Sequence, residues 1–268
     1  MPFADVDGRQ IEYRMIPGDA LEQPTLVFLH EGLGSVALWR DFPDKVAARL
    51  GARALVYSRF GYGQSGGLLA KRTPEFMHTE ALEVLPRLLD RLGIERPLII
   101  GHSDGASIAI IYAGSSGHPV HGLVLMAPHV NIEPFNIESI ARVRESYATT
   151  DLKQRLAKYH ARVDDAFLGW ADIWLDPAFR TWSIEAYVDR IAAPMLLIQG
   201  LDDEYGTLAQ LDCIEERARA STTRLVLNNC RHSPHRDQEA AVVDAIAAFA
   251  GGLGLERTAT PRPHKGDH

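Results

Sequence analysis

A serine between two glycines, Gly101-His102-Ser103-Asp104-Gly105, separates the apolar run Pro97-Leu98-Ile99-Ile100 from the helix-like stretch Ala106-Ser107-Ile108-Ala109-Ile110-Ile111. This spacing reads as a nucleophile elbow. A strand that turns into a helix within a few residues forces its central residue into strained backbone geometry, and only small neighbours avoid clashes there. Gly101 and Gly105 meet that need. The Ser103 hydroxyl then projects above the sheet edge, where the free N–H groups of the helix beginning at Asp104 converge. Such geometry suits acyl transfer.

A serine hydroxyl is a weak nucleophile at neutral pH, so it needs a base within hydrogen-bond reach and a third group to orient that base. Two later segments supply candidates. Leu201-Asp202-Asp203-Glu204 follows the apolar run 195–200, which sets its carboxylates at a strand's C-terminal end, where α/β sheets carry their sites. Asn228-Asn229-Cys230-Arg231-His232-Ser233-Pro234-His235 follows the run 223–227 and puts two histidines on the next loop. Alone, Ser103 could be a helix N-cap and Asp203 a turn carboxylate; it is their joint placement at strand ends that points to chemistry.

The elements needed to hold these groups are legible. Residues 10–16 alternate as a half-buried strand after the turn signal Asp7-Gly8, which predicts an opening β-hairpin. Short apolar runs then recur at 25–29, 54–57, 98–100, 123–126, 195–198 and 225–227, the pattern of strands buried on both faces. Helical periodicity lies between them, as at 74–92 and 238–249. A mostly parallel, doubly wound sheet follows. The interval 130–191 holds helical patterns, Trp170, Trp174 and Trp182, and no convincing strand; it reads as a helical cap inserted into a core of 1–129 and 192–256. The polar, proline-bearing stretch 257–268 reads as a disordered tail.

Composition narrows the partners. The 268 residues are 46% hydrophobic, ample for a sizeable core, and 28 basic against 35 acidic residues give a net charge of −7. No Lys/Arg stripe tracks a phosphate backbone, so no nucleic-acid partner is expected. No signal-peptide pattern or membrane-length apolar run is present, and a cytoplasmic protein with no membrane partner is expected. Cys213 and Cys230 lack the spacing of a disulfide framework, zinc site or redox pair. His129 has no second ligand at metal spacing, and Arg59-Phe60-Gly61-Tyr62-Gly63-Gln64-Ser65-Gly66 lacks the ending of a phosphate loop. The expectation is a small-molecule substrate and neither metal nor cofactor; no oligomeric state is implied.

With its order of serine, acid and histidine, the chain resembles the α/β-hydrolase superfamily, in the branch of small capped esterases, lactonases and carbon–carbon bond hydrolases. The likeness covers nearly everything except the tail. It implies an α/β-hydrolase fold: an eight-stranded, mostly parallel, doubly wound sheet with a helical cap. In that family the triad acid lies three residues after the glycine ending its strand, which selects Asp203. The triad histidine follows a small residue and precedes an acidic-Gln pair, which selects His232 over His235, although Arg231 stands where relatives usually carry glycine. The loop Leu29-His30-Glu31-Gly32-Leu33-Gly34-Ser35 resembles the family's His-Gly-rich loop. It implies an oxyanion hole made by the N–H groups of Gly32 and Asp104. His30, His102 and His235 are expected as hydrogen-bonded packing residues. The glycine-rich turn at 59–66 resembles the family's structural turn, with Ser58 replacing the usual aspartate.

These motifs predict a cofactor-independent serine hydrolase of small carboxylic esters, with the pocket lined by Glu31, His129, Trp170, Trp174 and Tyr205. Glu31 departs from the usual glycine and Asp104 from an apolar residue or Gln. Their carboxylates either receive a cationic or hydroxyl group of the substrate, or point into loop networks that stabilise the elbow. The same triad serves carbon–carbon hydrolases, lactonases, thioesterases, aminopeptidases and cofactor-free haloperoxidases. Dehalogenases and epoxide hydrolases place aspartate at the elbow's centre, one residue earlier than Asp104. A non-catalytic ligand receptor on a hydrolase fold is the alternative from a different class.

Overall fold

Asp7 and Gly8, with φ of 54° and 75°, turn β1 (Phe3–Val6) back on β2 (Arg9–Ile16) as an antiparallel hairpin. β2 then pairs antiparallel with β4 (Ala54–Tyr57). From there the computed structural model, which describes residues 1–19, 23–115 and 117–255, continues as a parallel sheet. Its strands are β3 (Leu26–Leu29), β4, β5 (Leu98–His102), β6 (Gly122–Met126), β7 (Met195–Gly200) and β8 (Thr222–Leu227). The order is β1-β2-β4-β3-β5-β6-β7-β8. Every run read from the sequence coincides with a strand; β3 starts one residue late, at Leu26, and β2, β5, β6, β7 and β8 extend beyond the expected bounds. The expected tail at 257–268 lies outside the described residues.

Strands β3 to β7 are buried throughout, which is why they read as unbroken apolar runs. Alternate residues feed two cores. Leu26, Phe28, Ile100 and Val124 meet Val46 of α1 (Phe42–Leu50) and Ile246 of α11 (Glu239–Gly252) on one face. Val27, Leu29, Ile99 and Leu125 meet the other layer, including α4 (Asp104–Gly114). The helix expected at 74–92 is divided into α2 (Phe76–Thr79), a π-helical turn (Glu80–Val84) and α3 (Leu85–Arg91). Pro86 accounts for the break, since it has no N–H to donate to the preceding turn and its ring crowds the carbonyl there.

Between β6 and β7 the chain forms α5 (Pro134–Thr149), α6 (Leu152–Leu156), α7 (Val163–Trp174) and α8 (Glu185–Val188). A lone bridge, Asn131 to Ser183, is the strand-like pairing found there. Trp174, Phe179 and Trp182 pack together, with ring centroids 5.1 to 6.3 Å apart. After β7 come α9 (Ala209–Arg217) and, beyond β8, α10 (Pro234–Asp237).

The winding direction reverses between β3 and β5. β4 lies outside β3 on one side and β5 pairs with it on the other, with Leu29 opposite Gly101. Open α/β sheets form their ligand crevice at such a switch point, outside the strands' C-terminal ends. Here it brings the loop after β3 beside the turn after β5.

Candidate active site

Ser103 sits at that turn with φ 53° and ψ −120°, between the last residue of β5 and the first of α4. Its N–H still donates along the sheet to Met126 O, at 2.9 Å, while its carbonyl already accepts from Ala106 N, at 2.8 Å. The glycines are required by close approach. A Cβ on Gly101 would lie 2.5 Å from Gly105 O, and one on Gly105 would overlap Leu29 O of the neighbouring strand.

The loops after β7 and β8 meet this serine. His232 Nε2 lies 2.9 Å from Ser103 Oγ, and His232 Nδ1 lies 2.8 and 2.9 Å from the two carboxylate oxygens of Asp203. Asp203 also accepts from Tyr205 N at 2.8 Å, Gly206 N at 3.2 Å and Gln199 Nε2 at 2.7 Å. Burial opposes its charge, but the His232 ring and the Tyr205 N–H hold its carboxyl below the usual carboxylate value. An ionised Asp203 only accepts, so Nδ1 carries the imidazole proton and Nε2 is left to accept from Ser103. Burial disfavours the imidazolium, yet Asp203 outweighs it and raises the pKa of His232 above its ordinary value. Neither Asp202, which is exposed, nor His235 joins this set.

Gly32 and Asp104 line the same cavity as Ser103. Among the described residues neither backbone N–H has a protein acceptor. Asp104 opens α4, and the first N–H groups of a helix lack intrahelical partners. Before Gly32, the Glu31 carbonyl accepts from Gly34 N at 3.0 Å and from His30 Nδ1 at 2.7 Å. His30 Nε2 in turn accepts from Arg59 N at 3.1 Å, so its ring is a neutral, buried brace. Burial and the nearby Arg59 push its pKa well below the ordinary histidine value.

The cavity, about 260 Å³, is lined by all five residues proposed from the sequence as pocket residues: Glu31, His129, Trp170, Trp174 and Tyr205. It also holds Leu33, His102, Asn136, Ile140, Glu204 and Arg236, which the sequence reading missed. Asn136 and Ile140 stand one turn apart on α5, a helical spacing that marks a shared face but not what it faces. His129 Nδ1 is buried without a hydrogen-bond partner among the described residues, and burial followed by the repulsion of His232 pushes its pKa down to about 3. It is a neutral wall of the site. Tyr205 packs over His232, with ring centroids 4.8 Å apart, besides bonding Asp203.

The two unusual carboxylates face protein side chains, although neither Asp104 oxygen makes a hydrogen bond among the described residues. Asp104 is buried with Oδ2 3.8 Å from Arg59 Nη2, and burial raises its pKa against that cation's pull. Glu31 lies 3.6 Å from His102 Nδ1 and 3.8 Å from Arg236 Nη2. Burial opposes its ionisation, but His102 and Arg236 hold its carboxyl well below the usual value. His102 Nε2 donates to the His232 carbonyl at 2.6 Å.

His235 corrects an expectation. It is buried against Trp39, Phe42 and His102, but neither ring nitrogen has a hydrogen-bond partner among the described residues. Burial pushes its pKa well down, so the ring packs as an uncharged aromatic. Ser58, where the resemblance leads to an expected aspartate, is served by a carboxylate from elsewhere. Glu12 of β2 accepts from Ser58 Oγ at 2.7 Å and Gln64 N at 2.9 Å, supplying the turn's carboxylate from another strand. From the helical segment, His160 accepts from Gly63 N at 3.0 Å and donates from Nε2 to Leu33 O at 3.1 Å, bridging that turn and the loop after β3.

A serine at the strained turn after the fifth strand of an eight-stranded, mostly parallel sheet, with later loops converging on it, defines an α/β-fold hydrolase. Comparison with known proteins specifies the family. Residues 26–245 match the Alpha/beta hydrolase family, and the chain belongs to it. It is 33% identical over 113 residues to a proline iminopeptidase of Lactobacillus helveticus, a match covering 42% of this chain and 36% of that protein. The chain thus spans little more than a third of that relative's length. Among solved structures, an alpha/beta hydrolase enzyme from a Medee basin deep-sea metagenome library superimposes with a TM-score of 0.76 at 18% identity, covering 98% of this chain and 100% of that one. The enol-lactonase from Burkholderia xenovorans gives 0.71 at 20% identity over 93% and 100%. Those two likenesses establish the fold alone. No helix among the described residues is long and apolar enough to cross a membrane.

Proposed function

We propose that the chain is a serine hydrolase of small carboxylic esters, working through Ser103, His232 and Asp203 and an acyl-enzyme. The observation that carries this reading is the continuous chain of contacts from Ser103 Oγ to His232 Nε2, 2.9 Å, and from His232 Nδ1 to Asp203, 2.8 Å, beside two backbone N–H groups that have no protein acceptor among the described residues. His232 takes the hydroxyl proton as Ser103 Oγ bonds to the ester carbonyl carbon. The Gly32 and Asp104 N–H groups hold the resulting oxyanion, and Asp203 stabilises the imidazolium. The tetrahedral intermediate collapses, the C–O bond breaks, and His232 passes its proton to the departing alcohol. A water deprotonated by His232 then attacks the acyl-enzyme, releasing the acid and restoring Ser103.

The helical segment 130–191 acts as the cap, with Trp170, Trp174 and His129 bounding the acyl space. A cavity of about 260 Å³ lies below the roughly 300–1,000 Å³ typical of sites for drug-sized ligands, which favours short acyl and alcohol groups. An aminopeptidase is the second reading, favoured by Glu31 and Glu204 in the wall and by the proline iminopeptidase relative. Both carboxylates already face cations, Glu31 at Arg236 and Glu204 at Arg231, 3.6 Å away, which supports neutral esters over an ammonium-bearing substrate.

A fluorophosphonate probe tests the mechanism. Ser103 is the expected site of modification, and His232→Ala should slow labelling sharply. A folded protein that resists the probe, or one labelled equally well without His232, overturns the reading. Turnover of p-nitrophenyl acetate against proline p-nitroanilide then separates esterase from aminopeptidase, with the ester expected to win.

The pH profile has a definite sign. His232 works as a base only when neutral, and Asp203 raises its pKa above 6.5. Activity is therefore full above that raised value and lost as pH falls through it. The acid limb of kcat/KM is expected above the ordinary histidine range, and Asp203→Asn should move it down. A wild-type limb below 6.5 contradicts this assignment.

A further inference from the structure

Behind the oxyanion loop lies a buried arginine that neither the triad nor the pocket uses. Arg59 follows β4 and is 3% exposed, yet its guanidinium makes a single hydrogen bond among the described residues, from Nη2 to the Glu31 carbonyl at 2.9 Å. Nε and Nη1 are buried without a hydrogen-bond partner among the described residues. The same Nη2 lies 3.8 Å from Asp104 Oδ2. A buried cation kept only for packing would spread its five donors over several acceptors. This one also lies over the Tyr62 ring, 4.9 Å from its centroid, but its polar contacts go to Glu31 and Asp104, one beside and one within the proposed oxyanion hole.

The first contact acts through peptide geometry. The Glu31 carbonyl and the Gly32 N–H belong to one planar trans peptide, so they point in opposite directions. Pulling the carbonyl back onto Arg59, Gly34 N and His30 Nδ1 fixes the N–H facing the other way. The second contact acts through charge. The Asp104 carboxylate is one residue from the nucleophile and would repel a developing oxyanion; Arg59 stands beside it and offsets that charge. Burial opposes the guanidinium's charge, yet Tyr62, Asp104 and Glu80 hold its pKa above the ordinary value, so it remains a cation.

We infer that Arg59 is a positioning residue of the oxyanion hole: it aims the Gly32 N–H through the Glu31 carbonyl and neutralises the Asp104 carboxylate behind the second donor. The inference rests on Gly32 and Asp104 being the oxyanion donors, as proposed above. Its effect falls on the transition state, because a neutral ester carbonyl draws little on either N–H.

The test compares Arg59→Met and Arg59→Lys with wild type, using p-nitrophenyl acetate and two inhibitors of one skeleton. One is a trifluoromethyl ketone, which adds Ser103 and forms an oxyanion; the other is the methyl ketone, which only occupies the pocket. Arg59→Met is expected to lose about 10–100-fold in kcat, the scale of a donor displaced or lost, with KM nearly unchanged. Trifluoromethyl ketone affinity should fall in parallel and methyl ketone affinity should hold. Arg59→Lys keeps the charge without the fork and should lose less. Wild-type kcat in a folded Met variant, or equal losses for both ketones, overturns the inference. If the Met variant does not fold, the Lys variant decides, and unchanged kcat and trifluoromethyl ketone affinity count against Arg59. A wild-type protein that neither hydrolyses the ester nor bonds the trifluoromethyl ketone at Ser103 refutes instead the underlying reading of the site.

Discussion

Ser103→Ala and His232→Ala are each expected to lower kcat on a small ester by about 10⁵–10⁶, and the double variant should be no worse than either. The reason is that the hydroxyl and the imidazole act as one unit. Without His232 Nε2, 2.9 Å away, nothing takes the Ser103 proton, and without Ser103 the base has no nucleophile to activate. Asp203→Asn should cost about 10⁴, for a reason visible in its surroundings. His232 Nδ1, Tyr205 N, Gly206 N and Gln199 Nε2 all present donors to that carboxylate. An asparagine must turn its own amide donors toward some of them. Either it forces the wrong His232 tautomer or it strips a bond from the loop that holds the acid. Single-turnover kinetics on all four proteins check this. Losses that multiply in the double variant, or an Asn variant close to wild type, would dissolve the unit.

Local pattern carried the elbow and the strands, because their constraints are local. Gly101 and Gly105 are needed by atoms within five residues or at the end of the adjoining strand, and the apolar runs record burial on both sheet faces. The strand-end rule carried the acid and base loops to Ser103, since a parallel sheet delivers all its C-terminal ends to one edge. The partners of Glu31 and Asp104 were illegible. Arg59 precedes Asp104 by 45 positions and Arg236 follows Glu31 by 205, and no spacing encodes such meetings. The same holds for Glu12, whose carboxylate serves a turn 46 residues downstream at Ser58. The His160 bridge and the cavity face of α5 belong to this class too, being set by how the helical segment docks rather than by its own periodicity.

Gly32→Ala is expected to reduce kcat by about 10²–10³ while leaving a folded protein, and Trp170→Ala is expected to restore at least about tenfold in that background. Gly32 does not occupy the left-handed region, so an alanine has no backbone objection to the site. Its Cβ, however, would overlap the Nε1, Cδ1 and Cε2 atoms of the Trp170 indole. That ring is rigid and 7% exposed, so it cannot swing aside as a lysine or methionine would. The peptide carrying the Gly32 N–H must yield instead, and a donor displaced by a fraction of an ångström loses the oxyanion. Overpacking of this kind costs about 1–3 kcal/mol in stability, so a thermal melt should fall modestly and remain cooperative. Removing the indole opens the space the methyl needs and lets the peptide return. The rescue distinguishes a displaced donor from general damage, because Trp170→Ala alone removes a wall of the pocket and can only weaken substrate binding. A Gly32→Ala enzyme with wild-type kcat, or one whose loss deepens when Trp170 is removed, would show that this N–H does not hold the oxyanion.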